Sequence, residues 1–253
     1  AGYVNSQDAT SAGITGTPTI STTATAASNV NTYTITSAAN DLAAANYQFS
    51  YVNGTLTVNR RPVTVTADNK TRVYGDANPD LTFAVAADGS SNGRGMYNSQ
   101  TLSGAVATTA IATTNVGNVS ITQGTVTNDS NANYDISYNN GTLEITARPI
   151  TLTATDRTKV YGDALTLGTS AFTKTAGTYA NNEVATAVTL TSTNGYAAST
   201  TRAVGTNASE VVATNATGTN DFLASNYDIT YVSGSLEITA RPITLTATDR
   251  TKV

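Results

Sequence analysis

The stretch "NYDISYNNGTLEITARP", Asn133–Pro149, is written three times with small changes, as "NYQFSYVNGTLTVNRRP" from Asn46 and as "NYDITYVSGSLEITARP" from Asn226. Aromatic and aliphatic residues alternate with polar ones in each copy, the period-2 pattern of a strand with one buried face. Asn53-Gly54 and Asn140-Gly141 are favoured pairs for a two-residue type I′ turn, which needs positive φ at both positions, and Ser233-Gly234 is a weaker version. The spacing therefore predicts a β-hairpin in every copy. With that turn, Tyr47, Phe49, Tyr51, Leu56 and Val58 share one face. So do Tyr134, Ile136, Tyr138, Leu143 and Ile145, and again Tyr227, Ile229, Tyr231, Leu236 and Ile238. A one-residue slip in register would scatter each set over both faces. A lone hairpin is marginal in water, so each is expected to pack on further strands.

The similarity continues past the proline. "RPVTVTADNKTRVYGD" from Arg61 is answered by "RPITLTATDRTKVYGD" from Arg148 and by "RPITLTATDRTKV" from Arg241, and Leu143–Val160 is identical to Leu236–Val253. The period is about 90 residues, so the chain reads as tandem modules: a partial module over 1–60, complete ones over 61–147 and 148–240, and the first strand of another over 241–253. "PITLTAT" alternates Ile150, Leu152 and Ala154 with Thr151, Thr153 and Thr155, and proline at the first strand position costs no ladder bond. Further strand-like runs begin at Leu81, Thr101, Val119, Val184 and Ser209. Helix signal is weak, a turn or two at Ser37–Tyr47 and Ala176–Ala185. The fold class is all-β, a row of mostly β sandwich modules. Only about three residues separate each hairpin from the next Pro-bearing strand, without a Gly/Ser-rich linker, so successive modules are expected to stand head to tail as a semi-rigid, monomeric rod.

Composition narrows function. The 253 residues include no Cys, His or Trp and one Met, with 13 basic against 17 acidic residues and a net charge of −4. Thiol redox, Cys/His zinc sites and Ser-His catalysis are thereby excluded, and no paired acids or phosphate-binding loop suggest another chemistry. The expectation is that the chain is not an enzyme and carries no cofactor. No basic surface marks a nucleic-acid partner. No apolar run approaches the roughly 20 residues that span a bilayer, and no export signal is seen.

Taken together, "NYDISYNNGTLEI", "RPITLTATDRTKVYGD" and "GTSAFTKTAGTYANNEVATAVTLTSTNGY" followed by "ASNYDITYVSGSLEI" resemble the tandem MBG and YDG domains of very large bacterial surface adhesins, among them filamentous-haemagglutinin-like proteins secreted by the two-partner route. Residues 61–147 look like the MBG type and 148–240 like a YDG domain. The resemblance implies an extracellular repeat stalk of Ig-like or β-grasp-like fold and brings no catalytic residues. Its expected partners are extracellular polysaccharide, mucin, or a host or neighbouring cell surface, reached through the parent protein; the alternative is glycan or mucin binding by the repeats' own loops, "AADGSSNGRGMYNSQ" from Ala86 and "STNGYAASTTR" from Ser192.

Other features have bland readings beside functional ones. Tyr74-Gly75-Asp76 and Tyr161-Gly162-Asp163 read as turns that end a strand, with the tyrosine on the core or on a module interface. Arg60, Arg61, Lys70, Arg72, Arg148, Arg157 and Lys159 read as solubilising charges beside exposed strands, or else as a patch for acidic polysaccharide. Asp68, Asp76 and Asp80 lack the dense spacing of a calcium loop. Sequons at Asn53, Asn69, Asn118, Asn128, Asn140, Asn207 and Asn215 are expected by chance in so Asn- and Thr-rich a chain.

Overall fold

The computed structural model describes residues 2–87 and 95–252. It is all-β; the helix found among the described residues is one 3-10 turn, Ala224–Asn226. The first repeat contributes β1 (Thr19–Thr22), β2 (Asn31–Ala38) and β3 (Gly54–Val58). The second contributes β4 (Arg61–Ala67), β5 (Lys70–Val73), β6 (Phe83–Val85), β7 (Ala107–Thr108), β8 (Gly117–Thr122), β9 (Tyr134–Asn139) and β10 (Gly141–Thr146). The third contributes β11 (Arg148–Ala154), β12 (Arg157–Val160), β13 (Phe172–Gly177), β14 (Val184–Ser192), β15 (Gly205–Thr219), β16 (Tyr227–Val232) and β17 (Gly234–Thr239).

The chain divides into two compact units. One is Ala1–Ala67 with Thr82–Ala107 and Thr122–Asn140, the other Asp68–Leu81 with Thr108–Ile121 and Gly141–Val253. The first unit contains the sheets β1-β2-β3 and β6-β4-β9. The second contains β13-β11-β16 and β12-β17-β15-β14 and, apart from Ala107 and Thr122, β5-β10-β8-β7.

The third repeat shows the design whole. β11 is the middle strand of its sheet, antiparallel to β13 and parallel to β16, with Ile150 beside Ile229 and Leu152 beside Tyr231. In the other sheet β17 runs parallel to β12 and antiparallel to β15. Alternation along each strand turns its apolar residues inward. Ile150, Leu152 and Ala154 from β11 are buried, as are Val211 and Ala213 from β15 and Leu236 and Ile238 from β17. Each large aliphatic side chain so buried contributes about 1.5–3 kcal/mol.

The hairpin expected in each copy does not form. β9 pairs with β4 and β16 with β11, both parallel, while β10 and β17 belong to different sheets. One residue, Asn140 or Ser233, separates the two strands, and the chain steps from one sheet to another instead of folding back. Two features explain the difference. Left-handed φ, which a type I′ turn requires, is absent at Asn53, Asn140 and Ser233 and at Gly54 and Gly234. Gly234 serves close approach instead, because a Cβ there would lie 2.6 Å from the Ala154 carbonyl oxygen. Gly141, given the same turn role in the sequence, is buried as the first residue of β10. Alternation is indifferent to this choice, since a strand presents the same inward face whichever neighbour it pairs with.

The residues assigned to the hairpin faces therefore point inward on unpaired neighbours. Tyr134, Leu143 and Ile145 are buried with Ile136 and Tyr138 half-buried, and Tyr227, Leu236 and Ile238 are buried with Ile229 and Tyr231 half-buried. The first repeat differs. Tyr47–Val52 forms no strand, Tyr51 is exposed and Tyr47, Phe49 and Val58 are half-buried. Leu56 is 37% exposed where Leu143 and Leu236 are fully covered. The helical turns expected at Ser37–Tyr47 and Ala176–Ala185 are also absent; consecutive left-handed residues at Asn181 and Asn182 are incompatible with an α-helix there.

Candidate functional site at the repeat junction

Three motifs repeated in the sequence meet where one repeat follows another. In the second unit the arginine that opens β11 reaches back to the Tyr-Gly-Asp turn of the repeat before it. Arg148 Nε donates to the Tyr74 carbonyl oxygen at 2.7 Å and its Nη2 pairs with the Asp76 carboxylate. The same grip recurs one repeat later, with Arg241 Nε donating to the Tyr161 carbonyl at 2.8 Å and pairing with Asp163. The glycine of each turn is needed for its backbone: Gly75 and Gly162 have φ of +85° and +91°, a region costly for residues with a Cβ. A Cβ at Gly75 would also lie 2.2 Å from that of Ala180.

The Tyr74 side chain runs on into a buried cluster. Its hydroxyl donates to Glu183 Oε1 at 2.6 Å, and the Tyr227 hydroxyl donates to Oε2 at 2.7 Å. Tyr227 Oη in turn accepts the Ala180 N–H at 3.0 Å. The Tyr74 and Tyr227 rings meet edge to face at 5.9 Å, and Phe222 stacks on Tyr227 at 5.0 Å. A buried carboxylate is tolerated only when its lone pairs are filled, and two phenols with the Asn181 amide fill them. Burial is the largest cause of the raised phenol pKa at Tyr74 and Tyr227.

The acceptor stands on a turn present in all three repeats: Asn5-Ser6-Gln7, Asn98-Ser99-Gln100 and Asn181-Asn182-Glu183, each with its first two residues left-handed. Tyr47 donates to Gln7 at 2.6 Å and Tyr134 to Gln100 at 2.5 Å, as Tyr227 does to Glu183. The asparagines before Tyr227 and Tyr134 have a task of their own. Asn226 Oδ1 accepts the Val116 N–H at 3.1 Å, and its Nδ2 donates to Asn115 at 3.0 Å. In the first unit Asn133 makes the same pair of bonds to Val30 and Asn29, at 2.9 and 2.8 Å. "Asn-Tyr" thus binds the preceding repeat with its first residue and the latch of its own repeat with its second.

A cleft of about 300 Å³ opens in the first unit, lined by Tyr97, Gln100, Asn133, Tyr134, Arg61 and Pro62 among others. By repeat register, the corresponding place beside Glu183 and Tyr227 holds the Tyr74 ring. Arg61, the counterpart of Arg148, donates to the Gly95 carbonyl at 2.8 Å.

Several of the remaining candidates have structural partners. Arg72 and Lys159 are buried, not surface charges. Arg72 donates to Asn78 and to the Ile111 carbonyl, and Lys159 to the carbonyls of Tyr196, Ala197 and Ser199. The Ser192 loop is held from its other side by Glu210, which accepts from Ser192, the Asn194 side chain and the N–H groups of Asn194 and Tyr196. Burial would raise the Glu210 pKa, but these donors outweigh it and the net shift is downward. Much of the loop from Ala86 lies outside the described residues. Asp76 is engaged by Arg148, and no cluster of three acids suited to a metal occurs among the described residues. The sequon asparagines Asn69 and Asn128 accept the N–H groups of Thr142 and Ile136.

Sequence reasoning found the Tyr-Gly-Asp turn and the arginine but not their union, and it overlooked the Gln/Glu latch. The signal was available: "NSQ" occurs at both 5–7 and 98–100, followed in each repeat by its Asn-Tyr.

No curated protein and no solved structure matches the chain. One family model, the MBG domain of YGX type, matches at 1–57, 63–144 and 150–237, and so covers the third repeat, expected from its sequence to be of YDG type, as well as the other two. The repeated turn whose tyrosine carbonyl and acid receive the next arginine thus stands in units of one kind, and the chain belongs to the MBG domain family (YGX type) as a tandem array of its repeats.

Proposed function

We propose that this array is a spacer in an extracellular bacterial surface protein, an adhesin stalk that extends and positions a binding region carried elsewhere, with no catalysis of its own. The observation that supports this reading most directly is the junction in the second unit. A single residue, Ala147, joins β10 to β11, and the next side chain, Arg148, is tied to both the backbone and the acid of the preceding Tyr-Gly-Asp turn. A short link with a side-chain brace leaves little freedom for rotation, unlike a Gly/Ser tether. Tandem MBG repeats suit such a role, in which each module adds length.

Small-angle scattering tests the idea. A spacer has a radius of gyration clearly above the roughly 18 Å of a compact globule of this length, and it falls or broadens in distribution when Arg148 and Glu183 are replaced by alanine. A wild-type value near that of the globule counts against extension. A glycan array probed with the whole chain tests the other half: saturable binding lost on mutating the Ser192 loop would assign recognition to the repeats themselves.

A further inference from the structure

We propose that each complete repeat is a tension-bearing clamp: a load applied along the array drives the repeat's opening and closing strands past each other in shear, so that their whole ladder has to break together. The inference rests on the spacer reading only for the source of the load, since the resistance belongs to a single repeat.

The third repeat lies wholly within the second unit and carries the argument. Its first two strands run parallel to its last two. β11 pairs with β16 from Arg148 beside Tyr227 to Thr153 beside Val232, and β12 pairs with β17 from Arg157 beside Leu236 to Val160 beside Thr239. The separation is 79 residues at every pair, so the two sheets keep one register. Where the chain steps between sheets a side chain continues the ladder, the Asp156 carboxylate accepting the Ser235 N–H at 2.6 Å. Past the last strand pair, the Tyr161 N–H donates to the Thr239 carbonyl at 2.9 Å. The second repeat is built alike: β4 with β9 and β5 with β10 are parallel pairs, both at a separation of 73 residues, and Asn69 accepts the Thr142 N–H in the place of Asp156.

Chain order fixes how this ladder is loaded. The preceding repeat joins at Arg148, at one end of the ladder, and the chain leaves after Thr239, at the other. In a parallel pair those two ends are diagonally opposite, so tension acts lengthwise and spreads over the evenly spaced bonds. An antiparallel pair would put both ends on one side and open bond by bond. Both loaded strands are also interior, β11 between β13 and β16 and β17 between β12 and β15. Sliding either one disrupts the ladders on both its edges and uncovers buried Ile150, Leu152, Leu236 and Ile238. At the loaded end Arg148 is tied to the Tyr74 carbonyl and to Asp76, so the preceding repeat pulls through that side chain as well as through Ala147. Forced unfolding follows the barrier to this sliding and not equilibrium stability.

Single-molecule force spectroscopy on the whole chain tests the clamp, and the absence of cysteine lets introduced thiols choose the pulling axis. Ser225 and Ala240 are exposed and Ala147 is half-buried, so thiols there leave the core intact. Pulling between Ala147→Cys and Ala240→Cys loads the ladder in shear. Pulling between Ala147→Cys and Ser225→Cys grips the adjacent ends of β11 and β16 and opens that ladder bond by bond. The shear axis is expected to need a several-fold higher unfolding force. On that axis Leu236→Ala, in β17, should lower the force. Val188→Ala, which empties a buried site in the edge strand β14, should lower the melting temperature and leave the force near its starting value. Equal forces along the two axes, or a shear force that merely tracks melting temperature across both variants, overturns the proposal. A high shear force in a chain that scattering finds compact upholds the clamp and removes the spacer, so the two readings fail separately.

Discussion

Arg148–Lys159 and Arg241–Lys252 are the same twelve residues in two states. The first stretch forms β11 and β12, with β11 flanked by strands on both edges and its aliphatic side chains sealed in a core. The second forms no strand and leaves its aliphatic side chains in water. Local propensity is identical, so the difference lies entirely in what each stretch meets. A β-strand gains its hydrogen bonds and its burial from neighbours distant in sequence, and without them the entropy of an extended chain is not offset. The tyrosines of the two Tyr-Gly-Asp turns tell the same story: Tyr74 is enclosed by Glu183, Tyr227 and their neighbours, whereas Tyr161 has its backbone gripped and its ring 42% exposed.

The largest test of this contrast is substitution of one leucine in each copy. Leu152→Ala should cost about 2–5 kcal/mol, the range for emptying a core site. Leu245→Ala, measured by urea unfolding of the same chain, should stay within about 0.5 kcal/mol. Equal costs would mean that both copies are packed alike in solution.

Next in size is the pair of tyrosines. Tyr74→Phe removes a donor to a buried carboxylate and should destabilise by about 1.5–3 kcal/mol. Tyr161→Phe should be nearly silent. Gly234→Ala, where a Cβ would meet the Ala154 carbonyl oxygen, should cost about 1–3 kcal/mol. Asn140→Ala should cost far less than it would in a type I′ turn, and this pair separates the observed sheet-to-sheet step from a hairpin.

The pH dependence is smaller and has two sides. Tyr74 and Tyr227 have phenol pKa values raised by burial, so the folded state favours their protonated form. Their contribution is complete below the ordinary phenol value of about 10 and is lost as pH rises through the higher folded values. Melting temperatures should fall above pH 10, and less steeply in the double variant Tyr74→Phe, Tyr227→Phe. Glu210 has the opposite sign. Its lowered pKa gives stability present above the ordinary carboxylate value and lost as pH falls through the lower folded one. Glu210→Gln should flatten the acid limb of the melting curve.

The repeats and the all-β class were legible in the sequence, as were the buried positions of the second and third repeats, because period-2 alternation and a 90-residue period survive in any arrangement of paired strands; the first repeat, with Tyr51 and Leu56 exposed, departs from that pattern. Tyr134 or Leu236 faces inward whichever strand lies beside it. The hairpin was not legible as an error, since Asn-Gly suits a tight turn and also suits a step between sheets where a missing Cβ admits a neighbouring backbone. The junction was half visible. Arginine and Tyr-Gly-Asp recur at fixed spacing, but Arg148 and Asp76 are 72 residues apart, and nothing in a one-dimensional pattern says that such groups meet.

By itself the sequence determined the kind of unit, its repetition and its lack of thiol and imidazole groups, because those follow from residue types and spacing alone. Only the tertiary structure decided which strands pair, that β9 and β10 part into different sheets, and that one copy of "RPITLTATDRTK" is a strand while the other is bare chain. Strand pairing and burial are properties of two distant segments together, and identical segments given different neighbours reach different free-energy minima.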